Sequence, residues 1–402
     1  MRLLDGALLV VAATIALQLM PLPRQLPDAI SPATPALQDV ISLQPLGEWR
    51  PLSILPADTR GSLLVTLAAI LLFWAARRAF ERGGVRLVVR WVGVMGLALA
   101  LVAIVQHTTA PRTIYWLWLP DNPRARPYGP FIDRNHLATW LVLAIPVSLG
   151  YLIARIRRSH ADPASARLML ARLLAHGGAL GTLLCIGLMT IALVATLSRS
   201  GFVGLMAAAA LTAVLQRRGR RRALTAAAGA IALLVVVGLW LDSGGLAQRV
   251  EGTLNAAGPQ SRPVIWAETV RIVRAFPVAG TGAGTFGEAM LQYQRTGTAV
   301  LFNHAHNEPL QLLATGGVLL TGAVLIALVL FIREARRRLA ADHTTARPIR
   351  IGALAGLGGV AIQCVWEVGL HMPANLMLAT VLAAIALQSP RGESEDRTAP
   401  AS

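Results

Sequence analysis

The chain has 402 residues, of which 55% are hydrophobic and only 14% charged, where a soluble domain carries about a quarter charged. Its net charge of +17 rests wholly on arginine, since no lysine is present. The arginines sit in short clusters between apolar runs, the pattern of cytoplasmic loops and not of a nucleic-acid-binding face. Composition thus excludes a soluble enzyme and a nucleic-acid partner, and predicts an all-α polytopic integral membrane protein.

The N-terminal stretch "MRLLDGALLVVAATIALQLMPLP" has one early arginine, a long apolar run and no small-x-small cleavage site. It reads as a retained first span rather than a signal peptide. Apolar runs then predict about ten transmembrane helices: 5–22, 61–76, 85–106, 136–155, 178–197, 201–216, 223–241, 308–332, 351–370 and 374–389. Several fall short of the roughly 20 residues that an upright span needs, so they are expected to take in flanking residues or to lie in thinned bilayer.

With the N-terminus inside, 24 of the 37 arginines fall in inner segments, and five of the other 13 lie in one long outer loop where charge has little say. Both termini are therefore expected in the cytoplasm. The outer segments are about 23–60, 107–135 and 243–306, the last being one large periplasmic loop with short helices. Residues 1–390 read as a single transmembrane domain, and 391–402 as a disordered cytoplasmic tail.

Polar side chains gather at the outer ends of the spans. "FIDRNHLATWLVLAIP" opens the fourth span with Asp133, Arg134, Asn135 and His136. "LVATLSRSGFVGL" puts Arg199 at a tight outer connection, with Ser198 beside it and Gly201 permitting the turn. An arginine at the membrane boundary is a functional candidate, with snorkelling to headgroup phosphates as the alternative.

In "GPQSRPVIWAETVRIVRAFPVAGTGAGTF", Pro263 at a first helical position and Ile265, Trp266, Val270, Ile272, Val273 and Phe276 predict a helix on or near the membrane surface. Arg262 at its start suits an anion, while Arg271 and Arg274 are expected to face lipid. Gly282, Gly284 and Gly287 have G-x-G-x-x-G spacing, but they follow a helix and a proline rather than a strand. A dinucleotide fold is excluded; a glycine-rich bend with amides facing a phosphate is expected instead.

"NHAHNEPLQLLATGG" puts His304 and His306 on the outer side, just before Asn307, which is suited to cap the eighth span. A histidine beside a helix N-terminus is biased toward the neutral form, as a general base must be. With His107, His136 and His371, five of the eight histidines lie on that side, and Glu367 lies near the outer end of a span. Cys185 and Cys364 sit in apolar segments and make no disulfide or metal framework by spacing. No Walker A, Asp-x-Asp or His-Glu-x-x-His pattern occurs, so no metal ligand and no cofactor are expected.

"TLSRSGFVGL", then the long outer loop with "SRPVIWAETVRIVRAFPVAGTGAGTF", then "NHAHNEPLQLLATGG", resembles the O-antigen ligase superfamily, which includes Wzy-type polysaccharide polymerases. "RNHLATWLVLAIP" resembles a further stretch, and together the motifs cover about residues 130–320. The resemblance implies a metal-independent, inverting glycosyltransferase of the bacterial inner membrane. It would move a glycan from an undecaprenyl-diphosphate carrier to a hydroxyl of lipid A–core, or to a growing polysaccharide, on the periplasmic face among membrane lipids.

The resemblance assigns catalysis to His306, Arg199 and Arg262. Around them, His304, Asn307, Asn135, His136, Ser198, Gly282 and Gly284 are expected to contact substrate. One departure is Thr315, where the family often has glutamate. A polyprenyl-glycan flippase is the alternative of another class, against which stand the lack of an inverted repeat and of paired acids within the spans.

Overall fold

A computed structural model of the chain describes residues 1–41, 47–120, 125, 127–158, 177–216, 262–296 and 301–389. The predicted span 223–241, the first part of the long loop and the C-terminal tail lie outside the described residues. The described chain is mostly helix, and among it β-structure is limited to the short antiparallel pair Leu22–Pro23 and Trp49–Arg50 and two isolated bridges.

Among the described residues, six helices are long and apolar enough to cross a membrane: α1 (Arg2–Leu19), α4 (Pro56–Glu81), α5 (Val85–Thr109), α6 (Arg134–Arg158), α7 (Gly177–Ala195) and α11 (Glu308–Ala341). The chain is thus an all-α membrane protein. Between these lie α2 (Gln25–Ile30), α3 (Ala33–Ile41), α8 (Arg199–Leu215), α9 (Arg262–Ala275) and α10 (Phe286–Tyr293); α12 (Arg347–Gln363) and α13 (Pro373–Ala386) follow α11.

Bounds differ from the apolar runs for physical reasons. The run 61–76 grows into α4, with Asp58 in its first turn and Arg78 in its last, where an acid and a base suit the helix dipole. The expected span 351–370 stops early: α12 ends at Gln363, residues 364–368 leave the helix, and a single 3-10 turn covers Gly369–His371. At 17 and 14 residues, α8 and α13 reach about 25 and 21 Å, less than the roughly 30 Å hydrocarbon core.

Two compact units form. The first comprises Met1–Leu71, Gly244–Glu334 and Cys364–Val368; the second Leu72–Ser243, Ala335–Gln363 and Gly369–Ser402. In the second, α6 is the central helix, with 83% of its apolar window buried. It is approached closely by α12 because glycines carry the contact. A Cβ on Gly352 would fall 2.2 Å from the Pro146 carbonyl oxygen, and one on Gly150 would fall 2.3 Å from that of Pro348. Small residues allow membrane helices to pack through dispersion where no hydrophobic effect drives them together.

Arg350, at the start of α12, is fully buried in this unit. Its Nε donates to Asp342 at 2.8 Å, and its two Nη atoms donate to the carbonyls of Ala386 (2.9 Å) and Gln388 (3.1 Å). One guanidinium thereby neutralises a buried carboxylate and fastens the end of α13.

The first unit has its own core, in which Ile265 and Ile272 of α9 and Phe276 just after it meet Phe286, Ala289 and Met290 of α10, with Leu37, Ile54, Phe302, Ala305 and Ala314. The apolar stripe that suggested a helix on or near the membrane surface packs on protein along α9. Arg271 does not simply face lipid either, since it pairs with Glu268, a buried residue of the same helix that also accepts from Thr296 Oγ1 at 3.1 Å.

The glycine-rich bend 277–284 docks into a break in α11. Gly317 there has φ 58 and ψ −163, a conformation open essentially to glycine alone. The break lets Val318 N and Leu319 N donate to the carbonyls of Pro277 and Val278, while Thr281 N and Gly282 N donate to those of Ala314 and Thr315. Gln18 of α1 completes the joint: its Nε2 donates to Ala279 O (2.6 Å) and Thr315 O (3.0 Å), and its Oε1 accepts from Ala283 N (3.0 Å). Buried amide groups of an irregular segment are thus satisfied by a broken helix, as a membrane setting requires.

Gly317→Val would place a branched Cβ against the Val278 carbonyl, which a bare Cβ already meets at 2.3 Å. It is expected to lower stability by at least about 2 kcal/mol, read as a drop in the thermal unfolding midpoint in detergent. A midpoint equal to the parent's would show that this joint contributes nothing.

Candidate active site

In the first unit, the segment 304–308 is held from several directions. Trp266 Nε1 on α9 donates to Ala305 O at 3.0 Å, and Ala305 N donates to Gln311 Oε1 at 2.8 Å. The Gln311 amide also meets His304 Nδ1 at 3.3 Å. On the other flank, Asn307 caps α11, its Oδ1 accepting from Leu310 N at 2.9 Å, and Glu308 N donates to Cys364 O at 2.9 Å. Asn307 therefore does the capping that its sequence position indicates. Asn307→Ala is expected to cost about 1 kcal/mol of stability, measurable as a lower unfolding midpoint.

Between these anchors His306 is held at φ 49. A non-glycine residue in the left-handed region costs on the order of 1–2 kcal/mol and persists only where neighbours impose it. The result is a side chain 36% exposed, with its Nδ1 aimed at Glu367 Oε2 at 3.6 Å. That distance lies beyond hydrogen-bond reach, though within ion-pair range when the imidazole is protonated.

Glu367 ties the cluster together. Its side chain is 1% exposed, and its Oε1 accepts from Arg262 Nη2 at 2.5 Å. It belongs to the break after α12, where the chain leaves the helix and returns to the first unit. Arg262, the first residue of α9, is 40% exposed and offers further N–H donors beyond the one engaged. A buried carboxylate thus stands between an accessible guanidinium and an accessible imidazole. This is the relation of orienter to base that general-base sites use.

Sequence reasoning singled out Arg262 and His306, which the structure brings to one buried carboxylate, but it did not include Glu367 in the site. The signal was there, an acidic residue at the end of an apolar run. Only the helix break shows why it points back at Arg262 and His306.

Gly282 and Gly284 both sit where the backbone approaches its neighbours closely. The Gly282 amide is engaged by the Thr315 carbonyl, and a Cβ there would lie 2.5 Å from Ser53 Oγ. A Cβ on Gly284 would lie 2.4 Å from Ser62 Oγ. These glycines admit close packing of the bend. Thr315 donates its hydroxyl to Gln311 O and gives its carbonyl to Gln18 and Gly282, so it serves the joint in α11.

The remaining expected residues belong to the second unit. Ser198 is the N-cap of α8 and accepts from Gly201 N at 3.2 Å; Arg199 is the first helical residue. The turn before them is made by Leu197 at φ 51, not by Gly201. Gly201 instead gives room to Ala138, whose Cβ would lie 2.7 Å from a Cβ at that position. Asn135 sits in the first turn of α6, its N–H donating to Asp133 Oδ1 at 2.8 Å, and the His136 carbonyl accepts from Asn375 Nδ2 at 3.0 Å.

Residues 184–327 match the family model described as O-Antigen ligase. No curated protein matches the chain. The matched stretch runs from α7 through the serine-arginine turn, α9 and the glycine-rich bend to the first part of α11, and so carries Arg199, Arg262 and His306. Over residues 184–327 the resemblance to the O-antigen ligase family, drawn from the motifs, is borne out.

Proposed function

We propose that the protein is a membrane glycosyltransferase of the O-antigen ligase type. It transfers a glycan from undecaprenyl diphosphate to a hydroxyl of lipid A–core at the periplasmic face of the bacterial inner membrane. The observation that supports this most is the buried Glu367 set between Arg262 and His306, together with the family match.

The chemistry follows from the groups present. The acceptor hydroxyl attacks the anomeric carbon while His306 takes its proton. Nδ1 faces Glu367, so Nε2 is the nitrogen that accepts. Glu367 favours the imidazolium that forms, as a carboxylate beside a base does. The bond from the anomeric carbon to the phosphate oxygen breaks with its electron pair, and the carrier leaves as undecaprenyl diphosphate. Arg262 neutralises the charge that grows on that oxygen. The resemblance gives Arg199 the same kind of role. One displacement inverts the anomeric centre, and both chain termini lie in the cytoplasm in this reading.

The test is transfer by purified protein from a defined undecaprenyl-diphosphate oligosaccharide to lipid A–core, with EDTA present. Single-step attachment of the intact glycan is expected. Products that grow by whole repeat units would mark a Wzy-type polymerase instead. Movement of the lipid across liposomes without any transfer would favour a flippase and overturn the reading.

A further inference from the structure

Within the second unit, α5 has two faces. Leu87, Trp91, Val94, Leu101 and Val105 are exposed and recur at helical spacing, while Val89, Gly93, Gly96, Ala100 and Ala103 are buried. One stripe packs on protein and the opposite one is left for the bilayer. At 25 residues α5 reaches about 38 Å, more than the roughly 30 Å hydrocarbon core. Its end therefore comes to the headgroup region.

Just beyond that end, Tyr115, Trp116, Leu117, Trp118 and Leu119 are all exposed, Leu117 by 90%. Such a run of apolar side chains is unfavourable in water and marks a surface with a use. The backbone is held so as to present it. Tyr115 and Trp116 have φ 51 and 62, a region that bulky residues keep only where neighbours impose it. Gln106, fully buried, accepts from Tyr115 N at 3.1 Å through its Oε1 and donates to the Thr113 carbonyl through its Nε2. Ile114 is buried, and it closes the loop with Trp118: its N–H donates to Trp118 O at 2.7 Å, and Trp118 N donates back at 3.1 Å.

Two features fit this tip to an apolar boundary better than to water. Trp116 Nε1 donates to Thr109 Oγ1 at 2.7 Å, and that hydroxyl donates to Val105 O at 2.7 Å. The indole N–H is thus satisfied within the chain, so the ring can leave water without stranding a donor. The same bonds tie the loop to the end of the exposed stripe of α5, so the apolar surface is continuous from one to the other. Residues 110–119 also carry a single charge, the exposed Arg112, which suits a headgroup phosphate.

We propose that residues 115–119 are an interfacial anchor whose partner is the bilayer itself, inserted at the boundary of headgroups and acyl chains beside the end of α5. Tryptophan and tyrosine favour that depth because they join a large apolar ring to a polar atom. The anchor is separate from the proposed transfer site and uses none of its residues.

Full-length Leu117→Cys protein would be labelled with an NBD fluorophore in nanodiscs of phosphatidylethanolamine and phosphatidylglycerol, which leave both faces open to solution. Cys185 and Cys364 are buried, and the parent treated with the same reagent supplies the background. Quenching by aqueous iodide would be compared with quenching by phosphatidylcholine bearing a nitroxide high on its acyl chain, each normalised to a fully accessible label. A tip seated about 5–10 Å into the interface is expected to be quenched at least about threefold more by the nitroxide than by iodide. Adding Trp116→Ser/Trp118→Ser is expected to reverse that ratio. Trp118→Ser alone keeps the bond between Trp116 and Thr109, and is expected to lower the ratio about twofold with the loop's shape retained. Stronger quenching by iodide than by nitroxide in the Leu117→Cys protein would place the tip in water and overturn the proposal. Protection from both quenchers would also overturn it, because protein and not lipid would then cover the tip.

Discussion

His306→Ala is expected to lower glycan transfer by about 10²- to 10⁴-fold, the usual worth of a positioned general base. The effect should appear in kcat, because the proton moves only as the new bond forms. Alanine retains the left-handed backbone strain of the native residue, so its stability should stay close to the parent's. His306→Gly separates strain from chemistry. Glycine adopts φ 49 without penalty, so this variant should melt at or above the alanine variant's midpoint while remaining equally inactive. Should the glycine or alanine variant keep parental turnover, His306 is not the base, whatever its geometry.

The second large effect concerns Arg262. Arg262→Ala is expected to reduce kcat by about 10²–10³, the loss typical of removing one group that stabilises developing negative charge. It should also destabilise, because Glu367 remains buried without its guanidinium. Breaking a buried pair costs roughly 3–5 kcal/mol, and the figure here should fall below that range because the Arg262 side chain is 40% exposed. Two further variants divide the roles. Arg262→Lys keeps the charge but loses the planar fork that matches a diphosphate, so it should restore most stability and little activity. Arg262→Ala/Glu367→Gln removes both charges and should recover stability without recovering transfer. A single variant that loses only stability, with full turnover per folded molecule, would make the pair structural and remove Arg262 from the mechanism.

The two arginines of the proposed chemistry differ in what holds them. Arg262 is fixed by a buried partner, so its position is set before substrate arrives, which lowers the entropy cost of binding a diphosphate. Arg199 opens α8 behind a Ser198 cap. Its backbone is placed by that cap and by the left-handed Leu197 just before it.

Local chemistry was enough to make much of this legible from sequence. The apolar runs and their scarcity of charge determine a helical membrane protein, because a backbone in hydrocarbon must satisfy its hydrogen bonds within each segment. Asn307 before "EPLQLL" specifies a helix start, and Arg262 before Pro263 specifies another. His306 and Arg199 stand out because each lies in a cluster of polar residues at the end of an apolar run.

What tertiary structure decided depends on contacts between distant segments, which no local pattern encodes. The break in α11 exists because the bend at 277–282 inserts its carbonyls and amides there, with Gln18 as the third party. Nothing within "ATGGVLL" distinguishes that break from an ordinary glycine pair. Likewise α9 shows an amphipathic stripe that would suit a membrane surface equally well, and only the presence of α10 and Phe302 turns that stripe toward protein. Glu367 gains its place because α12 stops at Gln363 and the chain bends back toward Arg262. The residues proposed to carry chemistry were thus visible one by one, while the assembly of Arg262 and His306 around a buried carboxylate came from folding, since burial and ion pairing are properties of segments that meet in space.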